Sequence, residues 1–455
     1  MIRPLLLLVL AVAPALAADP PRAAPPGITL ADAEARLVER NLVVLAARRG
    51  IDVARAQRLV ADTAPSPTLG YGQTVAQSNE GRRGGDLGGF RGVSPLNNLS
   101  VNLSVLVERG GKRELRTRAA ELGIGVAEAQ VLDALRTQVF TLRQAFFAGL
   151  QGRANLDVAV ANRAALDRTE ALLGRQVREG QIPEADLLRF QASRLPFAQD
   201  LATSAQAYAA ASAQIAALLG EDATRAVPRG RDAAAGVLAP IPLELRGRLD
   251  AVRAGPLDRE QIAEALPNRP DVLAATRTAS VSEANARLAE AGRSRDVTLS
   301  GTVGRTELSQ DLPEARRAVR ANDTLSLGVS IPIFTRRVTE GNIAVAAAQQ
   351  AQSELQARGA LAGAQADLAI AWATYVQARS LLDITSGPVL RRAEEAYRST
   401  EAAYAAGGRT LLDLLDALRT LNATRVAANA ARAAYLTALA GLEQASGLGG
   451  LVPRM

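Results

Sequence analysis

The sequence predicts a mainly α-helical chain that also carries membrane-type β-strands and is built by internal duplication. Three observations carry that reading: alanine-rich stretches almost free of proline, short segments alternating apolar with small polar residues, and one order of motifs met twice. Of the 455 residues 48% are hydrophobic but only 3% aromatic, so the core has to be thin or repetitive. Small side chains suit long helices in close register better than the interior of a globular enzyme. Cysteine and histidine are both absent. That excludes thiol nucleophiles, disulfides, thiolate metal sites and imidazole bases together.

The formal net charge is +7, yet nearly every cation is arginine, Lys112 being the one lysine, and both signs are spread along the chain. Nothing in that pattern forms a nucleic-acid footprint. Residues 1–18 read as a secretory signal peptide: Arg3 precedes the apolar run Leu5 to Val12, and Ala15-Leu16-Ala17 supplies small cleavage-site residues. The run is shorter than the ~20 residues of a spanning helix, and no N-terminal cysteine is available for acylation after cleavage. Export without a helical span or a lipid anchor is therefore expected.

Beyond a proline-rich leader, motifs recur in the same order at a shift of about 226 to 230 positions. Asn41 to Ala47 parallels Asn268 to Ala275, Thr68 to Gly72 parallels Thr298 to Thr302, and Leu99 to Val105 parallels Leu325 to Ile331. Gly180 with Asp186-Leu187-Leu188 parallels Gly407 with Asp413-Leu414-Leu415. The implied organisation is a first repeat over 19–265, a second over 266–447 and a tail at 448–455. The first repeat holds strands at about 66–77 and 98–108, helices at about 112–179 and 183–219, and a linker over 220–265. The second holds strands at about 296–308 and 324–334 and helices at about 339–406 and 410–446.

Each strand is two-faced. Leu69, Tyr71 and Val75 oppose Thr68 and Thr74; Val101, Leu103, Val105 and Val107 oppose Ser100, Asn102 and Ser104. Val297, Leu299 and Val303 oppose Thr298, Ser300 and Thr302, and Leu325, Leu327, Val329 and Ile331 oppose Ser326 and Ser330. Such strands suit a half-buried soluble sheet or the wall of a water-lined membrane barrel. A membrane sheet has to close, and closure takes at least about eight strands. Four cannot close alone, whereas three chains would supply twelve. The connecting stretches Ser78 to Leu96, rich in Gly and Arg, and Ser309 to Asp323, strongly charged, read as exposed loops.

The first helix of each repeat could run about 70 residues, on the order of 100 Å, with Pro388 as the one interruption. Pro183 suits a first helical turn, and Gly407-Gly408 stops one helix before Thr410 starts the next. In the last helix Leu414, Leu421, Ala428, Tyr435 and Leu442 recur every seven residues beside Ala417, Thr424, Ala431 and Ala438, a coiled-coil seam. Leu188, Leu195, Ala202, Ala209 and Ala216 suggest the same seam in the first repeat. Trp372 and Tyr375, one helical turn apart, read as packing residues.

These features resemble the TolC-like outer-membrane efflux family, essentially across the whole mature chain. The resemblance is most specific in Tyr404-Ala405-Ala406-Gly407-Gly408-Arg409-Thr410-Leu411-Leu412-Asp413-Leu414-Leu415-Asp416-Ala417, which is similar to the periplasmic tip of the family's second helical hairpin. Val177 to Leu188, containing Gly180 and Gln181, looks like the first tip, and the fourth helix is similar to the heavy-metal-efflux branch. The resemblance implies a homotrimer, a 12-stranded β-barrel in the outer membrane continued by a long α-helical coiled-coil barrel across the periplasm. It also implies a passive exit duct, docked at Gly180, Gln181, Gly407 and Gly408 by a periplasmic adaptor that joins it to an inner-membrane pump. The chain departs from the family at the barrel rims, where Gly110-Gly111 stands without a proline, Pro332 stands without a glycine pair, and aromatic girdle residues are scarce.

In the family, polar links between neighbouring hairpins shut the tunnel, and the matching positions here are Tyr404 and Arg409 against Asp186. An exposed arginine–carboxylate contact with a phenol in support is worth about 1 kcal/mol at most, a lock an adaptor can open. Asp413 and Asp416 share a helix face, so a trimer would gather six carboxylates around the axis and favour cations. Thr410 and Asp413 also stand at capping-box spacing, and a cap and a pore-facing role are compatible. No phosphate loop, nucleophile elbow or acid pair marks an enzyme, no cofactor is implied, and carboxylates alone make a transition-metal site improbable. A soluble periplasmic coiled-coil scaffold and an exported hydrolase remain as alternatives.

Overall fold

A computed structural model describes residues 27–76, 96–223, 243–249, 257–312 and 316–452. The signal-peptide segment and the Ser78 to Leu96 connection lie outside the described residues, except Leu96 itself, which begins a strand. In chain order the elements are β1 (Gly27–Ile28), α1 (Leu30–Arg40), α2 (Leu42–Ala61), β2 (Thr68–Ala76), β3 (Leu96–Val107), α3 (Lys112–Arg178), α4 (Glu184–Ser193) and α5 (Leu195–Leu218). They continue with β4 (Glu244–Leu245), α6 (Arg259–Glu264), α7 (Pro270–Ala291), β5 (Val297–Leu312), β6 (Arg316–Ser330) and α8 (Arg336–Ile384). A π-helical segment over Thr385–Val389 then leads to α9 (Leu390–Ala405) and α10 (Leu411–Ser446).

The four long strands form one antiparallel sheet in the order β2-β3-β5-β6. Its register sets Leu69 beside Leu103, Gly301 and Leu327, and Tyr71 beside Val101, Val303 and Leu325. The intervening rows are Gly70, Asn102, Thr302 and Ser326, then Gly72, Ser100, Gly304 and Thr324. Between Val101 and Val107 the alternation read along each strand thus becomes two faces, one apolar and solvent-exposed, the other, Leu106 apart, made of small polar residues and glycine. Among the described residues β2 and β6 are the edges.

The strand ends need correction. β5 and β6 pair as far as Leu312 and Arg316, so most of the charged stretch expected as a loop is hairpin. Ladder hydrogen bonds require only backbone, and polar side chains beyond the apolar rows do not stop them. β6 ends at Ser330 rather than near 334 because Pro332 has no N–H and Phe334 adopts φ 58°.

Four helices lie side by side. α3 packs between α5 and α10, and α8 packs against the other flank of α10. α2 and α7 lie on α3 near the sheet. The main core gathers Leu142, Phe146, Phe147, Ile215, Leu245, Tyr435, Leu436 and Leu439, all fully buried. Tyr375 packs between Trp372 and Tyr435, with ring centroids at 5.8 and 6.0 Å.

The α10 seam is buried at Leu414, Leu421, Ala428, Tyr435 and Leu442. The seam expected in the fourth helix is buried within the chain only at its end, Ala216: Leu188 is 57% and Leu195 73% exposed, whereas Phe190, Phe197, Leu201, Ala205, Tyr208, Ser212 and Ile215 are buried. Bulk decides the phase, since the aromatic rings fill space that Leu188 and Leu195 would leave empty. That helix is also divided at Arg194, because Pro196 lacks an amide hydrogen for the 192 carbonyl.

Close approach between α3 and α5 depends on Gly152. A Cβ there would lie 2.9 Å from the Tyr208 amide nitrogen and 3.1 Å from its Cα. Gly152→Leu is expected to cost about 1–3 kcal/mol through overpacking, and Phe146→Ala about 3–5 kcal/mol through cavity formation. Thermal unfolding of the detergent-purified protein measures both.

Candidate channel gate at the hairpin tips

Each long hairpin turns through the same backbone device. After α3, Gly180 takes φ +72° and donates its N–H to the Val177 carbonyl at 3.0 Å, and Gln181 donates to Gln176 at 2.8 Å. After α9, Gly407 takes φ +76° and donates to Tyr404 at 3.0 Å, and Gly408 donates to Ala403 at 2.8 Å. Both are Schellman endings, in which a left-handed residue lets two amides satisfy the last free carbonyls. Glycine is required by φ alone, since among the described residues nothing beyond its immediate chain neighbours lies within 4 Å of a Cβ built at either position.

The return helices start differently. Thr410 forms the capping box expected from spacing: its N–H and Oγ donate to Asp413 Oδ2 at 3.0 and 2.9 Å, and its Oγ accepts the Asp413 N–H at 3.3 Å. These Thr410 hydrogen bonds, backbone first, with the nearby Arg409 guanidinium, hold the Asp413 carboxyl below its ordinary pKa. Pro183 caps α4 without a side-chain bond.

The expected gate residues sit at this one end but do not all meet within the chain. Tyr404 is half-buried, and burial together with the Asp186 charge raises its phenol pKa, so tyrosine and carboxylate are neighbours across the two hairpins. The cation beside Asp186 is Arg189, at 3.7 Å, not Arg409. Arg409 is exposed next to Asp413 and makes no ion pair among the described residues. Asp416 is exposed on the following turn. Among the described residues no cluster of three or more acidic, histidine or cysteine side chains is placed to hold a metal ion.

Sequence reasoning missed a second core behind the tips. Leu166, Leu173, Phe190 and Phe197 of the first hairpin pack with Leu415 and Leu418 of the second. Tyr397 joins them with its hydroxyl donating to Glu401 at 3.1 Å, and burial followed by that carboxylate pushes the phenol up to about 12. Above this core, Asn162 donates to Asn422 and Asn422 to Asp200, both at 2.8 Å, while Asn429 donates to Asn155 at 3.0 Å. Polar contacts in an apolar seam fix the register of the hairpins. The seven-residue spacing of Phe190 and Phe197 was the available signal.

Asp413's depressed pKa fixes the sign of a pH effect. The cap contributes fully above the unfolded carboxyl value, near 4, and is lost as pH falls through the lower folded value. Amide exchange at 411–414, corrected for intrinsic rates, is expected to lose protection as pH falls below about 4. Thr410→Ala should abolish that pH dependence and reduce protection at neutral pH.

Several known proteins share this architecture. The CusC channel aligns with TM-score 0.69 at 20% identity over 92% of both chains. VceC of Vibrio cholerae gives 0.66 at 20% identity, covering 92% of this chain and 96% of its own. MtrE of Neisseria gonorrhoeae, solved in an open state, gives 0.67 at 23% identity over 92% and 88%. In sequence, the cobalt-zinc-cadmium resistance protein CzcC of Cupriavidus metallidurans is 26% identical over 338 residues, 72% of each chain. The family described as outer membrane efflux protein matches residues 35–221 and 261–448, one block in each half. The tips, the two-faced strands and these matches agree, and the chain belongs to the outer membrane efflux protein family.

Proposed function

We propose that the protein is the outer-membrane exit duct of a tripartite efflux system, a homotrimer whose sheets join into a 12-stranded barrel above a helical tunnel. The observation that carries this reading is the four-stranded sheet with two edges and one exposed apolar face. From Val101 to Val107 that face runs about 20 Å along the strand, close to the ~25 Å apolar band of outer-membrane barrels. No described helix is long and apolar enough to cross a membrane. Burying the sheet in lipid demands that β2 and β6 find partners, and copies of the same chain supply them without a new interface.

In this reading the halves 19–265 and 266–447 are structural repeats, and their hairpins reach a periplasmic adaptor through Gly180, Gln181, Gly407 and Gly408. Arg409, which makes no ion pair among the described residues, reaches Asp186 of a neighbouring copy, with Tyr404 beside that carboxylate. Asp416, and Asp413 where its cap leaves an oxygen free, form the cation-attracting ring. The protein performs no catalysis and takes its energy from an inner-membrane pump. The likeness to CzcC supports a divalent metal cargo, conducted without chelation.

Planar-bilayer conductance tests the assignments. Arg409→Ser should enlarge conductance by breaking the lock, and Asp413→Ala/Asp416→Ala should weaken cation preference and block by multivalent cations. Equal behaviour of both variants and wild type would refute the gate. Release of the protein from membranes by salt alone would instead favour a soluble periplasmic scaffold.

A further inference from the structure

The periplasmic end of the sheet carries a charge arrangement that the duct reading leaves unused. Val107 and Val297 are the last paired residues of β3 and β5, both on the apolar face. One residue beyond, on the opposite face, stand Glu108 and Asp296, and each carboxylate has its cation. Arg116 donates to Glu108 at 2.8 Å, and Lys112 donates to Asp296 at 2.8 Å. Two residues beyond, alternation returns to the apolar face, where the continued register sets Arg109 opposite Arg295. The chains remain adjacent there: Arg109 donates its backbone N–H to Asp296 Oδ1 at 3.0 Å, and a Cβ on Gly110 would lie 2.7 Å from the Ser294 side chain.

Arg109 and Arg295 are exposed, as are Arg293, two residues from Arg295, and Arg337, at the start of the helix whose Thr339 lies 3.9 Å from a Cβ built on Gly292; none of the four makes an ion pair among the described residues. Glu108, Asp296 and Glu340 are already engaged, Glu340 by Arg336 at 2.8 Å. Two like charges facing each other across a strand pair repel unless an anion lies between them. Beside them, Ile333 is 65% and Phe334 91% exposed, and Phe334 is held at φ 58°. An aromatic ring and arginines at the end of an apolar band are the chemistry of a membrane–water interface, the ring at headgroup depth and guanidinium groups on phosphate.

We propose that Arg109 and Arg295, supported by Arg293, Arg337 and Phe334, bind the phosphate of an anionic phospholipid at the periplasmic surface of the outer membrane. The proposal rests on the barrel reading of the sheet. Its test is native mass spectrometry of the detergent-purified full chain mixed with equal phosphatidylglycerol and phosphatidylcholine. Wild type should retain phosphatidylglycerol preferentially, and Arg109→Gln/Arg295→Gln should cut that preference about tenfold or more, since each arginine near an anionic lipid is worth about fivefold. Arg109→Lys/Arg295→Lys should keep most of it, which separates lost charge from lost fold. An unchanged preference in the glutamine variant overturns the proposal. So does displacement of the lipid by inorganic phosphate at equal concentration, which marks an ion site only. Insertion into phosphatidylcholine vesicles is the independent readout of the barrel: wild type that inserts without lipid preference sinks this site alone, and wild type that does not insert sinks both.

Discussion

Two rows of backbone N–H and C=O groups, along β2 and β6, have no strand beside them among the described residues. Such edges are tolerable in water and costly in hydrocarbon, where each unmet group costs several kcal/mol. The rest of the architecture follows from how that demand is met. In the proposed trimer the edges of this sheet meet those of its copies and its helices enter a ring, where helices have to be narrow and closely spaced. Alanine and glycine on α3, α5 and α10 provide that spacing, with Gly149 and Gly152 lying against Leu245 and Tyr208.

Much of this was legible in the sequence, and the parts that were not share a cause. The strand faces could be read because period-two alternation is a local property, and the register only aligned what each strand already displayed. The tip turns could be read because φ near +70° leaves glycine as the comfortable choice at Gly180 and Gly407. The α10 seam was legible because Leu414, Leu421, Tyr435 and Leu442 keep a seven-residue spacing along one helix, beside further buried leucines such as Leu415, Leu418, Leu436 and Leu439. In the fourth helix two stripes share the seven-residue period, Leu188 with Leu195 and Phe190 with Phe197, and only the neighbouring helices select the aromatic one. The satellite core at the tips was hidden for the same reason, since its members come from helices far apart in sequence.

The candidate gate divides along a similar line. The cap of Thr410 on Asp413 is local and follows from spacing. The nearness of Tyr404 to Asp186 joins the two hairpins and came from matching tip positions in a resembled family, not from any periodicity. Arg409 finds Asp413 beside it but no ion-pair partner within the described chain, and the local pairing of Asp186 with Arg189 could not be foreseen from the family pattern. Contacts between copies leave no trace in the helical period of one chain, so sequence names the residues at a tip more readily than the pairs they form.

The polar face of the sheet has a consequence of its own. Gly70, Gly72, Gly304 and Gly328 stand among serines, threonines and Asn102, with no formal charge in the rows between Thr68 and Thr324. In the proposed barrel, where this face would line the lumen, a wall of stubby neutral groups offers a departing solute nothing to grip. There, resistance would arise from width and distance instead of affinity, and any sorting of traffic would happen before the sheet is reached.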